Sequence, residues 1–256
     1  MMRNNRSSIL VLALFACLFG ACATVTRTEV VTAQVTDECV VLLHGLTRSW
    51  RAMRPMAKAL QEAGFSTANV DYPSTSDSIE AIAPLAVGTG LSECRATGAG
   101  VIHFVTHSLG SILIRYENEH APIPDLGRVV MLGPPNQGSE IVDKTRDWPG
   151  FDMLTGEAGA QLGTDDGSIP SQLGPVDFEL GVIAGTRTFN FITSAFLPNP
   201  DDGKVTVEST KVAGMRDFLI VEHAHHFMIR TDWVIRNTVA FLRTGVFLDS
   251  ENSDEE

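Results

Sequence analysis

Thr106-His107-Ser108-Leu109-Gly110 joins an apolar run, Val101–Val105, to a segment in which Leu109, Ile112, Leu113 and Tyr116 recur at helical spacing. A strand that turns this sharply into a helix strains the backbone of its corner residue. Such a corner is tolerated only where the residues two before and two after are small, and Thr106 and Gly110 meet that demand. The Ser108 hydroxyl is thereby predicted to stand clear of the sheet edge. The Leu109 amide then falls at a helix N-terminus, where free N–H groups can face developing negative charge. Ser108 is thus a candidate nucleophile and Leu109 N–H a candidate oxyanion donor.

Around this corner, strand and helix signals alternate, the pattern of a mostly parallel sheet with helices on both faces. Strands are expected at Cys39–His44, Thr67–Asp71, Val101–Thr106, Arg128–Leu132, Leu180–Ala184 and Phe218–Val221. Their apolar runs lack polar alternation, as suits strands buried on both faces. Helices are expected at Ser49–Ala63, Ser78–Ser92, Leu109–His120 and Thr231–Arg243, with Thr231 or Asp232 capping the last. Gly133–Asp177 breaks the alternation: it is rich in Gly, Pro and Asp, and reads as a long loop with a functional role. Within it Trp148, Phe151, Met153 and Leu154 are expected to form an acyl-binding wall or a lid. At 256 residues, 44% of them apolar, the chain fits one domain with a sizeable core. The net charge of −12, without clustered Lys and Arg, argues against a nucleic-acid partner.

Residues 1–21 read as an export signal: Arg3 and Arg6 supply the positive end, Ile9–Phe19 the apolar core and Ala21-Cys22-Ala23 a cleavage region. The apolar run is short for a membrane span. Leu18-Phe19-Gly20-Ala21-Cys22 resembles a bacterial lipobox, which would leave a lipidated Cys22 at the mature N-terminus, attached to an envelope membrane. The alternative is cleavage after Ala23 and a freely secreted protein. Residues 22–38 read as a tether or an added edge strand, 39–246 as the folded domain with an insertion at about 133–177, and 247–256 as an acidic, disordered tail. Export leaves Cys39 and Cys94, which can pair outside the cytosol or stay buried as separate small hydrophobes.

Other pieces fall where acyl transfer needs them. His44-Gly45-Leu46 follows the first strong strand, and its glycine permits a sharp turn that aims the Leu46 amide at the same oxygen as Leu109 N–H. Asp201-Asp202-Gly203 follows the Leu180–Ala184 strand and offers a carboxylate to orient an imidazole. His223-Ala224-His225-His226 follows the last strand, where a general base belongs. The chain order is Ser, Asp, His. Blander roles suit the remainder: His44 as a structural hydrogen-bonding residue, His103 as a satisfied core histidine, His107 as packing directed away from the corner, His120 as solvated, Asp71 as a cap or turn residue, and Asp165-Asp166-Gly167 as a solvated turn. No cysteine or histidine spacing suggests a metal, and no cofactor is implied.

These pieces together resemble the α/β-hydrolase superfamily, and within it the bacterial lipase and esterase group. That group carries His-Gly, a small-His-Ser-x-Gly elbow, a Pro-Pro segment ending in Gly-Ser after the next strand, and Asp-Gly-x-Val at the acid. Here these are His44-Gly45, Thr106–Gly110, Pro134-Pro135-Asn136-Gln137-Gly138-Ser139 and Asp202-Gly203-Lys204-Val205, covering about Cys39 to Arg243. The elbow departs from the group in having Thr106 where glycine is commoner. The resemblance implies Asp202 as the acid in preference to Asp201, and His225 as the base in preference to His223 and His226. It implies an exported serine hydrolase that cleaves carboxylic esters through a Ser108-Asp202-His225 triad and an acyl-enzyme, with Leu46 and Leu109 as oxyanion donors. The same site could transfer the acyl group to an alcohol or amine, and the scaffold could serve as a non-catalytic envelope lipoprotein that binds lipid or protein. Substrate-binding residues, acyl length, leaving group and oligomeric state are not legible in the linear order.

Overall fold

The computed structural model of the protein describes residues 27–32, 37–188 and 197–248. The expected signal segment, Cys22 and the acidic run from Asp249 lie outside the described residues. Seven strands form one sheet: β1 (Arg27–Val31), β2 (Glu38–Leu43), β3 (Ser66–Asp71), β4 (Val101–His107), β5 (Leu126–Leu132), β6 (Leu180–Gly185) and β7 (Asp217–Val221). Their spatial order is β1-β3-β2-β4-β5-β6-β7. All neighbours run parallel except β1, which lies antiparallel along the β3 edge. Arg27–Val31, within the segment read as tether or edge strand, is thus an edge strand.

The helices are α1 (Arg54–Glu62), α2 (Ile79–Ala96), α3 (Leu109–His120), α4 (Glu140–Thr145), α5 (Phe151–Ala160), α6 (Ile169–Gln172) and α7 (Asp232–Thr244). Alternate strand residues enter opposite cores. Cys39, Val41 and Leu43 of β2 pack with α2 and α3, whereas Val40 and Leu42 pack with α1 and α7. Two buried faces explain why the strands read as unbroken apolar runs. The helix expected over Ser49–Ala63 is instead a 3-10 turn, Trp50–Met53, followed by α1. Pro55 is the cause, since it has no N–H to give the Arg51 carbonyl and its ring crowds that group. Thr231 occupies the α7 cap position, yet its hydroxyl donates back to Phe227 O at 2.9 Å. Phe247, expected at the start of the tail, instead packs on Phe241, and its N–H bonds Asp217 Oδ2 at 2.7 Å.

From β2 the chain crosses to β3 on one side of the sheet, and from β4 to β5 on the other. Connections that diverge in this way open a crevice at the carboxyl ends of β2 and β4, the usual ligand position in such sheets. The Cys39 and Cys94 sulfurs are joined, tying the start of β2 to the end of α2 across 55 residues of chain.

Gly133–Asp177, expected as a loop, contains the short helices α4, α5 and α6. Each is too short, and α5 too disturbed at Gly156 (φ 66°), to register as a periodic apolar stripe. The insertion is fastened to the body by both main-chain and side-chain groups. The buried Arg115 of α3 donates to the carbonyls of Asn136 (2.9 Å), Leu173 (3.2 Å) and Gly174 (3.1 Å), bracing both ends of the segment. Burial pushes this guanidinium down to about 10, so it remains charged at neutral pH. Farther along, Gln161 Oε1 accepts from Ile79 N at 2.7 Å.

Two stability effects are expected. Replacing both Cys39 and Cys94 by Ala is expected to lower the unfolding free energy by about 2–4 kcal/mol, measured as a urea midpoint shift. Arg115→Leu, which leaves buried carbonyls unsatisfied, is expected to cost a further-reaching about 2–4 kcal/mol and to make Gly133–Asp177 the first region cut in limited proteolysis.

Candidate active site

Strand β4 runs into α3 with one residue between them, and that residue, Ser108, has φ 53° and ψ −120°. A non-glycine residue is seldom found there, and the surrounding structure holds it in place. Ser108 N–H donates to Leu132 O of the neighbouring β5 at 3.0 Å, and Ser108 O accepts from Ser111 N at 2.9 Å. Beneath the corner, Thr106 Oγ1 and Ser111 Oγ are hydrogen-bonded at 2.8 Å. The need for a small residue at Gly110 is steric: a Cβ there would lie 2.7 Å from Leu43 O and 2.9 Å from His44 O.

Strands β2 and β4 pair with Leu43 opposite Thr106, which sets the His44-Gly45-Leu46 turn against the serine. A Cβ on Gly45 would come within 2.8 Å of His107 Nδ1 and 3.1 Å of Ser108 Cβ. Among the described residues, neither Leu46 N–H nor Leu109 N–H is taken up by a hydrogen-bond acceptor, and both flank the Ser108 corner. The turn continues through Thr47, a β-branched residue at φ 58°, whose N–H donates to Ser74 Oγ at 3.1 Å. His44 is buried and stacked on Tyr72, with ring centroids 4.1 Å apart. Its Nδ1–H donates to Gly45 O at 2.8 Å, and Nε2 accepts the Tyr72 N–H at 3.4 Å. Burial lowers its pKa, so it is a neutral structural residue. Asp71 Oδ1 accepts Trp50 N–H at 3.1 Å, a turn-capping contact.

The carboxylate and imidazole meet after β6 and β7. Asp202 Oδ2 accepts His225 Nδ1–H at 2.6 Å, and Asp202 O accepts His225 N–H at 3.0 Å. The other carboxylate oxygen, Oδ1, accepts the N–H groups of Lys204 and Val205, each at 2.9 Å. Both residues are buried. Asp201, the alternative acid, turns the other way and accepts Gly203 N–H at 2.7 Å. His226 faces the cavity without that carboxylate; partial burial, and then the charges of His225, Arg48 and Lys204, push it down to about 4. His223 does not line the cavity. Gly133, at φ 54°, lies over the pair, where a Cβ would stand 2.9 Å from His225 Nδ1 and 3.0 Å from Asp202 Oδ2.

A cavity of about 290 Å³ brings Leu46, Ser108, His225 and His226 onto shared walls. Ser108 Oγ is not bonded to another described side chain, and catalytic hydrogen bonds are often loose before substrate arrives. The insertion supplies an apolar wall of Ile141, Val142, Phe151 and Leu162. Of the four large residues expected to shelter an acyl chain, only Phe151 lines the cavity; Trp148, Met153 and Leu154 are 53%, 84% and 67% exposed. Helix α5 turns Met153 and Leu154 outward, and Trp148 lies in the turn before it, directions that spacing within a Gly-rich segment could not reveal.

His107 also departs from its expected role. Its Nε2–H donates to His225 O at 3.0 Å, and its ring lines the cavity with Nδ1 buried and unpartnered among the described residues. Burial, followed by the proximity of His225, keeps the ring neutral. Its position beside the serine was the available signal, because the corner that presents Ser108 also swings the preceding side chain toward the β7 loop. His103, by contrast, is a core residue whose Nδ1 accepts Arg128 N–H at 2.8 Å. Among the described residues no group of three or more His, Cys, Asp or Glu side chains is placed to hold a metal.

The fold has well-defined likenesses. No curated protein matches the chain. Among solved structures, the Bacillus licheniformis lipase BlEst2 in mature form superposes with a TM-score of 0.70 at 19% identity, covering 84% of this chain and 98% of that one. A Paleococcus ferrophilus monoacylglycerol lipase gives 0.58 at 16% identity over 86% and 98%. Phospholipase PlaB from Legionella pneumophila gives 0.65 at 15% identity, over 81% of this chain and 59% of its own. At such identities the likeness is one of fold. The family model described as alpha/beta hydrolase matches residues 40–236. With most of the sequence matched, and with the mostly parallel seven-stranded sheet and strand-to-helix serine corner in place, the chain belongs to the alpha/beta hydrolase family.

Proposed function

We propose that the protein is an exported serine hydrolase that cleaves carboxylic esters through an acyl-enzyme. The observation that carries this reading is the Asp202–His225 hydrogen bond at 2.6 Å, in a cavity whose wall also holds Ser108 in its strained corner. Asp202 fixes the His225 tautomer, leaving Nε2 free to accept a proton. Ser108 Oγ attacks the ester carbonyl carbon as His225 Nε2 takes its proton. The carbonyl oxygen becomes an oxyanion facing Leu46 and Leu109 N–H, each donor worth about 3 kcal/mol in the transition state. Collapse expels the alkoxide, which takes the proton back from His225. Water, deprotonated by the same ring, then attacks the acyl carbon and returns Ser108.

The apolar wall from the insertion suits an acyl chain, and lipases, a monoacylglycerol lipase and a phospholipase are among the structures of like fold. Export is supported by the Met1–Ala21 signal pattern and by the joined Cys39 and Cys94, since disulfides persist in oxidising compartments. On this reading Cys22 carries lipid and anchors the protein in the envelope.

Ser108→Ala is expected to abolish p-nitrophenyl ester turnover, a loss on the order of 10⁶ in kcat, together with fluorophosphonate labelling, while circular dichroism stays native; undiminished turnover would refute the mechanism. Asp202→Asn is expected to lower kcat on the order of 10⁴. His107 is a positioning residue: His107→Ala should lower kcat about tenfold or more with KM little changed, and His107→Gln, which can still donate to His225 O, should recover part of it.

A further inference from the structure

We propose that the cavity beside Ser108 takes esters whose alcohol part carries an anionic group, a phosphate or a carboxylate, held between Arg48 and Lys204. This substrate class rests on the serine-hydrolase reading above. Arg48 and Lys204 are the charged residues of the cavity wall, and no carboxylate lines it, in a chain whose net charge is −12. Arg54, Arg95, Arg128, Arg146, Arg187 and Arg216 each lie within ion-pair distance of a carboxylate. Among the described residues, the side chains of Arg48 and Lys204 have no such partner. Burial disfavours the Lys204 ammonium, the Asp202 carboxylate supports it and Arg48 repels it; an anion between the two cations relieves that repulsion through charge-assisted hydrogen bonds.

Their backbone positions are fixed by the catalytic loops. Arg48 follows the strained Thr47, and its N–H closes the turn onto Gly45 O at 3.2 Å, two residues after the Leu46 donor. Lys204 stands two residues after Asp202 and gives its N–H to Asp202 Oδ1. The side of the site is fixed as well. Arg48 and Lys204 line the cavity from the loops that also carry Leu46 and Asp202, and His226, next in sequence to the base that returns a proton to the leaving alcohol, lines it with them. Ile141, Val142, Phe151 and Leu162 come from the insertion and form an apolar wall suited to the acyl chain. The anion therefore belongs to the alcohol part of the ester.

The test uses soluble esters sharing one short acyl chain and differing in the alcohol: glycerol, glycerol 3-phosphate, glycerate and choline. For the wild-type protein, kcat/KM of at least one anionic ester should exceed that of the glycerol ester by about tenfold, with the choline ester lowest. The advantage should shrink as salt rises. Whichever of phosphate and glycerate gives the larger ratio identifies the anion. In R48Q/K204Q the anionic-to-neutral ratio should fall close to one, while R48K should retain part of it. A wild-type ratio near one, or a ratio untouched by R48Q/K204Q, overturns the proposal. Failure of the underlying reading looks different: no ester is turned over, Ser108 resists fluorophosphonate, and both inferences are removed together.

Discussion

The backbone of Ser108 is the constraint around which this molecule is organised. A residue with φ 53° and ψ −120° costs about 1–3 kcal/mol relative to an ordinary conformation, and relaxes unless its neighbours forbid it. They do so from every direction. Parallel pairing with β5 holds its N–H, the first turn of α3 holds its carbonyl, and close contact between Gly110 and the Leu43 and His44 carbonyls leaves the helix no room to rotate. The same register that sets Leu43 opposite Thr106 delivers the Leu46 amide to the corner. The strain at one residue is thus sustained by the cooperativity of a whole sheet.

Around that corner the polar groups are sorted by charge state. His44 and His107 are buried, kept neutral by desolvation, and used for hydrogen bonds to carbonyls. Asp71 stands 3.6 Å from His44 Nε2, whereas His225 differs from both rings in being hydrogen-bonded to a carboxylate, itself held by two N–H groups and by the backbone bond between the same two residues. A ring so fixed can gain a proton without moving, which is what electrostatic preorganisation requires. His226 is adjacent in sequence yet lacks that support; partial burial, and then the positive charges around it, make it resist protonation.

Much of the fold was legible because its signals are local. Strands buried on both faces announce themselves as apolar runs, and the serine corner needs small residues at fixed offsets, so β2 to β7 and α3 emerged within a residue or two. Where the outcome depended on direction in space, the sequence was mute. Nothing in the order of Trp148, Phe151, Met153 and Leu154 distinguishes the one that faces the cavity from the three that face water. The choice of Asp202 over Asp201, and of His225 over His226, came from resemblance alone; their geometry depends on a turn in which adjacent side chains diverge. The partner of His107, the His225 carbonyl, is 118 positions away in the chain, so the sequence alone points its ring away from the corner and into packing.

The manner in which Arg115 grips the insertion has an evolutionary consequence. Its fork reaches main-chain oxygens of Asn136, Leu173 and Gly174, atoms that every amino acid possesses. Substitution at Leu173 therefore leaves its acceptor in place, whereas Gln161 and Asn136 also hold the segment through their own side chains, bonded to Ile79 N and Thr210 O. Descendants of this scaffold could acquire new appetites by mutating the pocket's upholstery, leaving the nucleophile's helix, from which Arg115 springs, undisturbed.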